Sequence, residues 1–108
     1  MEKINISIKF NNIGVFNRSY IENIKNGGLF LKIENPLPID TELIMHIAIP
    51  TETDEFVIDG VVVWNNTKSK SFPVGMGIQF VNIDDKYKYK IRKIVKNNIS
   101  EIRKNAII

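Results

Sequence analysis

The chain has 108 residues, 44% of them apolar and 25% charged, with no cysteine and a formal charge of +3. The lack of cysteine excludes disulfides and thiolate metal sites, and no apolar run approaches the roughly 20 residues that a membrane span needs. Charge is unevenly placed: residues 84–108 hold eight basic residues against three acidic ones, so the rest of the chain carries −2 and the basic character belongs to the C-terminal segment.

The length predicts one domain with a core that needs no covalent staples. The opening stretch MEKINISIKF lacks the uninterrupted apolar region of a signal peptide. A soluble cytoplasmic domain is the expectation.

Residues 4–10, INISIKF, alternate apolar and polar, with Ile4, Ile6, Ile8 and Phe10 on one face, and predict a half-buried strand. Asn11-Asn12 and Gly14 end it. Residues 18–24 and 28–34 are predicted as the second and third strands, turning through Lys25-Asn26-Gly27-Gly28. Apolar runs around an Asn-Gly pair are the strongest short-range hairpin signal, because both residues accept positive φ. Asn23, just before the turn, is placed to brace it through its side-chain amide.

Asn35-Pro36-Leu37-Pro38 is an extended, proline-stiffened connector. Residues 42–49 then put Leu43, Met45, Ile47 and Ile49 on one face of a strand that Pro50 ends. After a polar turn, residues 55–64 form a long β-branched strand with Phe56, Ile58, Gly60, Val62 and Trp64 on one face, Gly60 marking a bulge or bend. Residues 65–72 are expected to form a mobile polar loop. Residues 74–81 give the last strand, with Val74, Met76, Ile78 and Phe80 on one face.

The period then lengthens. Asp84 is a good N-cap, and Tyr87, Ile91, Ile94, Val95, Asn98 and Ile102 recur along one face of a helix over about 85–104. Short strands followed by one amphipathic helix predict a β-barrel or curled sheet with a helix laid across it.

Asn-x-Lys-x-x-Gly over Asn23 to Gly28 resembles the (D/N)xSxxG motif of the PilZ domain, with Lys25 in the serine place. The Pro-Leu-Pro connector, the strand ending in VVVW and the late Gly77-Ile78-Gln79-Phe80 also resemble PilZ segments, in the same order over nearly the whole chain. The resemblance implies a mainly β fold, a six-stranded antiparallel PilZ-like β-barrel over about 4–82 with a C-terminal α-helix. It also implies a bacterial regulatory domain in the orbit of cyclic di-GMP.

Two departures bear on ligand binding. PilZ receptors for cyclic di-GMP carry an RxxxR pair entering the barrel. This chain has no RxxxR, its first strand begins almost at Met1, and Arg18 is the only arginine before the helix. Arginine suits the ligand because one planar fork pairs with phosphate, bonds a guanine edge or stacks on a base. Serine in the motif offers a short hydroxyl, whereas Lys25 offers a longer point charge.

The resemblance with these departures implies a non-enzymatic adaptor of cyclic di-GMP signalling, type IV pilus function or motility, contacting a protein partner and binding nucleotide weakly or not at all. The alternative is an atypical receptor using Arg18, Asn23, Lys25 and Gly28. A more distant one is a nucleic-acid-binding barrel using the basic helix. No catalytic residue, metal or cofactor is expected, cyclic di-GMP being the one ligand in question. His46 has no ligand-type neighbour at metal spacing. Trp64 is expected in the core or at the barrel rim, with a base-stacking platform as the alternative. The helix's basic residues are expected on a solvated face, with docking of an acidic partner second. The apolar Ile107 and Ile108 suggest an edge cover or a homo-oligomer contact.

Overall fold

Two hydrophobic periods, one near two residues and one near 3.6, set out the elements in the computed structural model, which describes residues 2–67 and 73–105, the last nine by backbone alone. They are β1 (Ile4–Lys9), α1 (Ile13–Ser19), β2 (Tyr20–Ile21), β3 (Gly28–Leu31), β4 (Glu42–Ala48), β5 (Phe56–Asn66), β6 (Gly75–Val81) and α2 (Asp85–Asn105). The fold is mainly β, with a six-stranded sheet and a C-terminal helix, as expected. Of the loop predicted over 65–72, Asn65 and Asn66 extend β5 instead, and residues 68–72, like the apolar tail at Ile107 and Ile108, lie outside the described residues.

The sheet runs β1-β4-β5-β6-β3-β2. One face is buried. Leu43, Met45 and Ile47 of β4, Phe56, Ile58 and Val62 of β5, and Met76, Ile78 and Phe80 of β6 are each at most 1% exposed. That is the alternation read from the sequence, and it decides the register, because a one-residue slip would turn each set to solvent. Ile91 and Ile94 of α2 and Phe16 of α1 complete the core. Tyr87 stacks on Phe56, ring centroids 4.8 Å apart. Asp84 caps α2 as expected, its carboxylate accepting from the Lys86 N–H at 3.1 Å.

The sheet departs from a closed antiparallel barrel in two ways. β1 pairs with β4 in parallel, from Ile4 opposite Leu43 to Lys9 opposite Ala48. All other pairings are antiparallel. A parallel pair needs a long crossover, and α1, β2 and β3 supply it. The sheet also stays open, with β1 and β2 as its two edges. Residues 18 and 19, expected in the second strand, belong to α1 instead, and residues 22–24 belong to the loop, so β2 is only two residues long; β3 likewise ends at Leu31, short of the expected residue 34.

α1 was not expected from the sequence. Asn12, expected only to break the first strand, is its N-cap: extended itself, it accepts the Val15 N–H on its side-chain oxygen at 2.9 Å. Phe16 then points into the core at 1% exposure. Its ring meets Phe10 edge-on at 5.2 Å and lies nearly parallel to Tyr20 at 5.9 Å. The Ser19 hydroxyl donates to the Phe30 carbonyl at 2.6 Å, tying the end of α1 to β3.

The bulge in β5 falls between Val62 and Trp64 rather than at Gly60. Gly60 pairs regularly with Leu43 and Phe80. It is glycine because a Cβ there would sit 2.6 Å from Ile78 Cγ2 and 2.7 Å from Met45 Cε. The extra residue shifts the alternation, so Trp64 stands opposite Gly77 on the outer face, not in the row of Phe56 and Ile58. Phe30 is also paired with Gly77. The Phe30 and Trp64 rings lie 5.5 Å apart across the strand that carries the glycine.

Candidate functional site

The 22–27 loop is built by backbone chemistry. Asn26 and Gly27 both take positive φ, 67° and 76°, as the Asn-Gly pair predicts. The Gly27 N–H donates to Ile24 O at 2.9 Å. β6 holds the loop from the side: the Gln79 amide donates to Lys25 O at 3.1 Å, and the Phe80 N–H donates to Gly27 O at 2.9 Å. The expected brace from Asn23 does not form. Its side chain is exposed and bonds to no described residue, because these backbone and Gln79 contacts already fix the turn.

Two clefts open near this loop and α1. The first, about 320 Å³, lies between the 22–27 loop and α2 and is lined by Tyr20, Glu22, Ile24, Asn26, Gly27, Ile83, Lys88, Ile91 and Arg92. Lys88 and Arg92 are one helical turn apart and so fall on one side of α2. The second, about 370 Å³, is lined by Phe10, Val15, Arg18, Ser19, Phe30, Leu31 and Lys32. Its lining joins three elements: Phe10 follows β1, Leu31 ends β3 with Lys32 just beyond it, and Val15, Arg18 and Ser19 belong to α1. Phe16 links the two clefts, touching Phe10 of one and Tyr20 of the other.

The four candidate residues are dispersed. Arg18 lines the second cleft alone among them. Asn23 and Lys25 are exposed on the loop and line neither cleft. Gly28 is buried in β3, where a Cβ would fall into the carbonyl oxygen of Ile78. The first cleft instead draws on Asn26 and Gly27 of the motif and on Tyr20, Lys88 and Arg92. The i, i+4 spacing of Lys88 and Arg92 was the available signal. Nothing in the sequence alone placed them against the loop.

Other charges and polar groups are committed to the surface. Lys90 pairs with Glu52 at 3.2 Å. Lys86 lies over the Tyr87 ring and Lys93 over Tyr89, each 5.0 Å from the centroid. The His46 imidazole shares a hydrogen bond with Asn5 Oδ1 at 3.0 Å across β4 and β1. Among the described residues no cluster of three His, Cys, Asp or Glu side chains is arranged to hold a metal ion. No helix there is long and apolar enough to cross a membrane.

Tyr20 is the titratable group that the first cleft perturbs. Burial pushes its phenol above its ordinary value of about 10, the Glu22 carboxylate adds to the rise, and Arg92 opposes it. The folded protein thus holds this proton more tightly than the unfolded chain does. The stability this gives is complete below about pH 10 and is lost as pH rises through the folded value. An ultraviolet titration of wild type against Tyr20→Phe is expected to remove a tyrosine that ionises above the ordinary value of about 10. Loss of one that ionises below it would contradict the placement of Tyr20.

The family model described as PilZ domain matches residues 3–97. No curated protein matches the chain.

Proposed function

Because the chain belongs to the PilZ domain family, we propose that it is a non-enzymatic regulatory adaptor in bacterial cyclic di-GMP signalling, controlling type IV pilus function or motility from the cytoplasm. Domains of this family are generally binding modules rather than catalysts. This one acts mainly by protein contact, binds the nucleotide weakly or not at all, and forms a single unit over residues 1–108.

The observation that supports this is the distribution of arginine. Each cleft is lined by one arginine, Arg18 in the second and Arg92 in the first. Cyclic di-GMP carries two phosphates and two guanines, and its tight recognition calls for paired planar forks. The ammonium groups of Lys32 and Lys88 beside these arginines attract phosphate as point charges but do not reproduce the fork.

One observation favours an atypical receptor. Lys88 and Arg92 face a cleft that also contains Asn26 and Gly27, which lie within the stretch that resembles the family motif. Isothermal titration of cyclic di-GMP separates the two functions. The adaptor predicts no saturable heat and unchanged amide resonances up to about 100 µM ligand, equivalent to binding weaker than about −5.5 kcal/mol. Binding near 1 µM that falls on Arg92→Ala or Arg18→Ala would establish a receptor and locate its site.

A further inference from the structure

We propose that the second cleft, between α1 and the ends of β1 and β3, docks a segment of a partner protein that presents an apolar side chain flanked by carboxylates. This rests on the adaptor function proposed above and gives that function a surface.

The cleft has an apolar floor and a purely cationic rim. Phe10 and Leu31 contribute to its lining, and Val15, on the outward side of α1, is 37% exposed. Phe30 carries the apolar surface onward to Trp64, which is 38% exposed. The only charged side chains lining the cleft are Arg18 and Lys32. Both are exposed, and neither is ion-paired with any described residue. The Ser19 hydroxyl already donates to Phe30 O. The free charged donors at the rim are therefore two cations, and carboxylates are their complement.

Aromatic residues and arginine together are what protein interfaces concentrate at their energetic centres. Rim cations steer an acidic partner and fix its register, while the apolar floor supplies the hold. The cleft is at the low end of the roughly 300–1,000 Å³ that encloses whole small ligands, which suits an inserted side chain. Three cations of α2 are already engaged: Lys90 is held by Glu52, and Lys86 and Lys93 lie over tyrosine rings.

Trp64 is the sole tryptophan, and its ring lies 5.5 Å from that of Phe30, which lines the cleft, so its emission reports on this face through Phe30. The probe is a blocked hexapeptide, Glu-Asp-Leu-Phe-Asp-Glu, titrated into the full chain, with amide shifts recorded in parallel. A second peptide has lysine at the four acidic positions. The acidic peptide is expected to shift Trp64 emission saturably and to move the amides of Val15, Arg18, Leu31 and Lys32. The lysine peptide is expected to do neither, and Arg18→Glu with Lys32→Glu should weaken the acidic peptide about tenfold. Both substitutions are at exposed, unpaired positions, and an unchanged amide spectrum elsewhere verifies the fold. No response, or an equal response to both peptides, overturns the proposal. Shifts confined to α2 overturn the cleft while leaving the adaptor function standing. Shifts at these residues that grow with protein concentration alone put a second copy there and overturn it as well. Displacement of the peptide by micromolar cyclic di-GMP overturns both the cleft assignment and the adaptor function.

Discussion

Gly28→Ala is expected to cost about 3 kcal/mol or to prevent folding, a large share of the ~5–15 kcal/mol that holds a domain together. The added Cβ would meet the carbonyl of Ile78, a backbone atom in the middle of β6, with Ile24 Cδ1 also only 2.9 Å away. A crowded side chain can rotate, but a carbonyl inside a strand moves only if the strand moves. The β3–β6 ladder has the same arrangement at its other end, where a Cβ on Gly75 would meet the Leu31 carbonyl. Gly75→Ala should therefore cost a similar amount. Gly77 is the internal control. A Cβ there lies 3.5 Å from Trp64 Cβ, an ordinary contact, so Gly77→Ala should remain within about 0.5 kcal/mol of wild type. Urea unfolding of the three variants provides the comparison. An unshifted midpoint for Gly28→Ala would mean that β3 and β6 are not held this closely.

Phe16→Ala carries the second large effect, about 3–5 kcal/mol, the usual range for emptying a buried aromatic site. Phe16 is the one fully buried residue of a seven-residue helix, and Ile13 packs against the core only partly buried. Its ring lies between Phe10 and Tyr20, and removing it leaves a void that touches the walls of both clefts. Phe16→Leu, which keeps most of the volume, should cost about 1–1.5 kcal/mol. Amide exchange over residues 13–19 locates the damage. In Phe16→Ala these amides should exchange faster relative to β4 and β5. An equal loss of protection across the whole chain would show that α1 does not open by itself.

The parts of the molecule that were legible in the sequence are those where one simple period runs long enough to be seen. The rows Leu43-Met45-Ile47 and Met76-Ile78-Phe80 are buried as read, and Ile91 and Ile94 face inward from α2. The positive φ of Asn26 and Gly27 was also legible, because it depends on residue type alone. What could not be read depends on contacts between distant segments. α1 has one buried anchor over seven residues, and its Asn-Asn-x-Gly opening carries turn chemistry as readily as cap chemistry. The bulge that moves Trp64 to the outer face is a mismatch of length between β5 and β6, invisible in either strand alone. In the candidate site, the motif residue Gly28 proves to be where two strands approach closely. The cationic groups of the first cleft, Lys88 and Arg92, come from a helix some sixty residues further along the chain.

The strand order has a consequence for how the chain is assembled during synthesis. β1 is made first, yet its neighbour is β4, and β3 finds its second neighbour only in β6. The first forty residues thus emerge with most of their hydrogen-bonding partners still unmade, apart from the short β2–β3 pairing. The stretch from Glu42 to Val81 is different: β4, β5 and β6 pair in sequence order as an uninterrupted meander. Its loops are short to close, and each of its strands pairs with the one that follows it. In the finished sheet β1 adds to this meander along one side, at β4, and the β2–β3 unit along the other, at β6. α1 is the tether that joins these two additions on opposite sides of the meander.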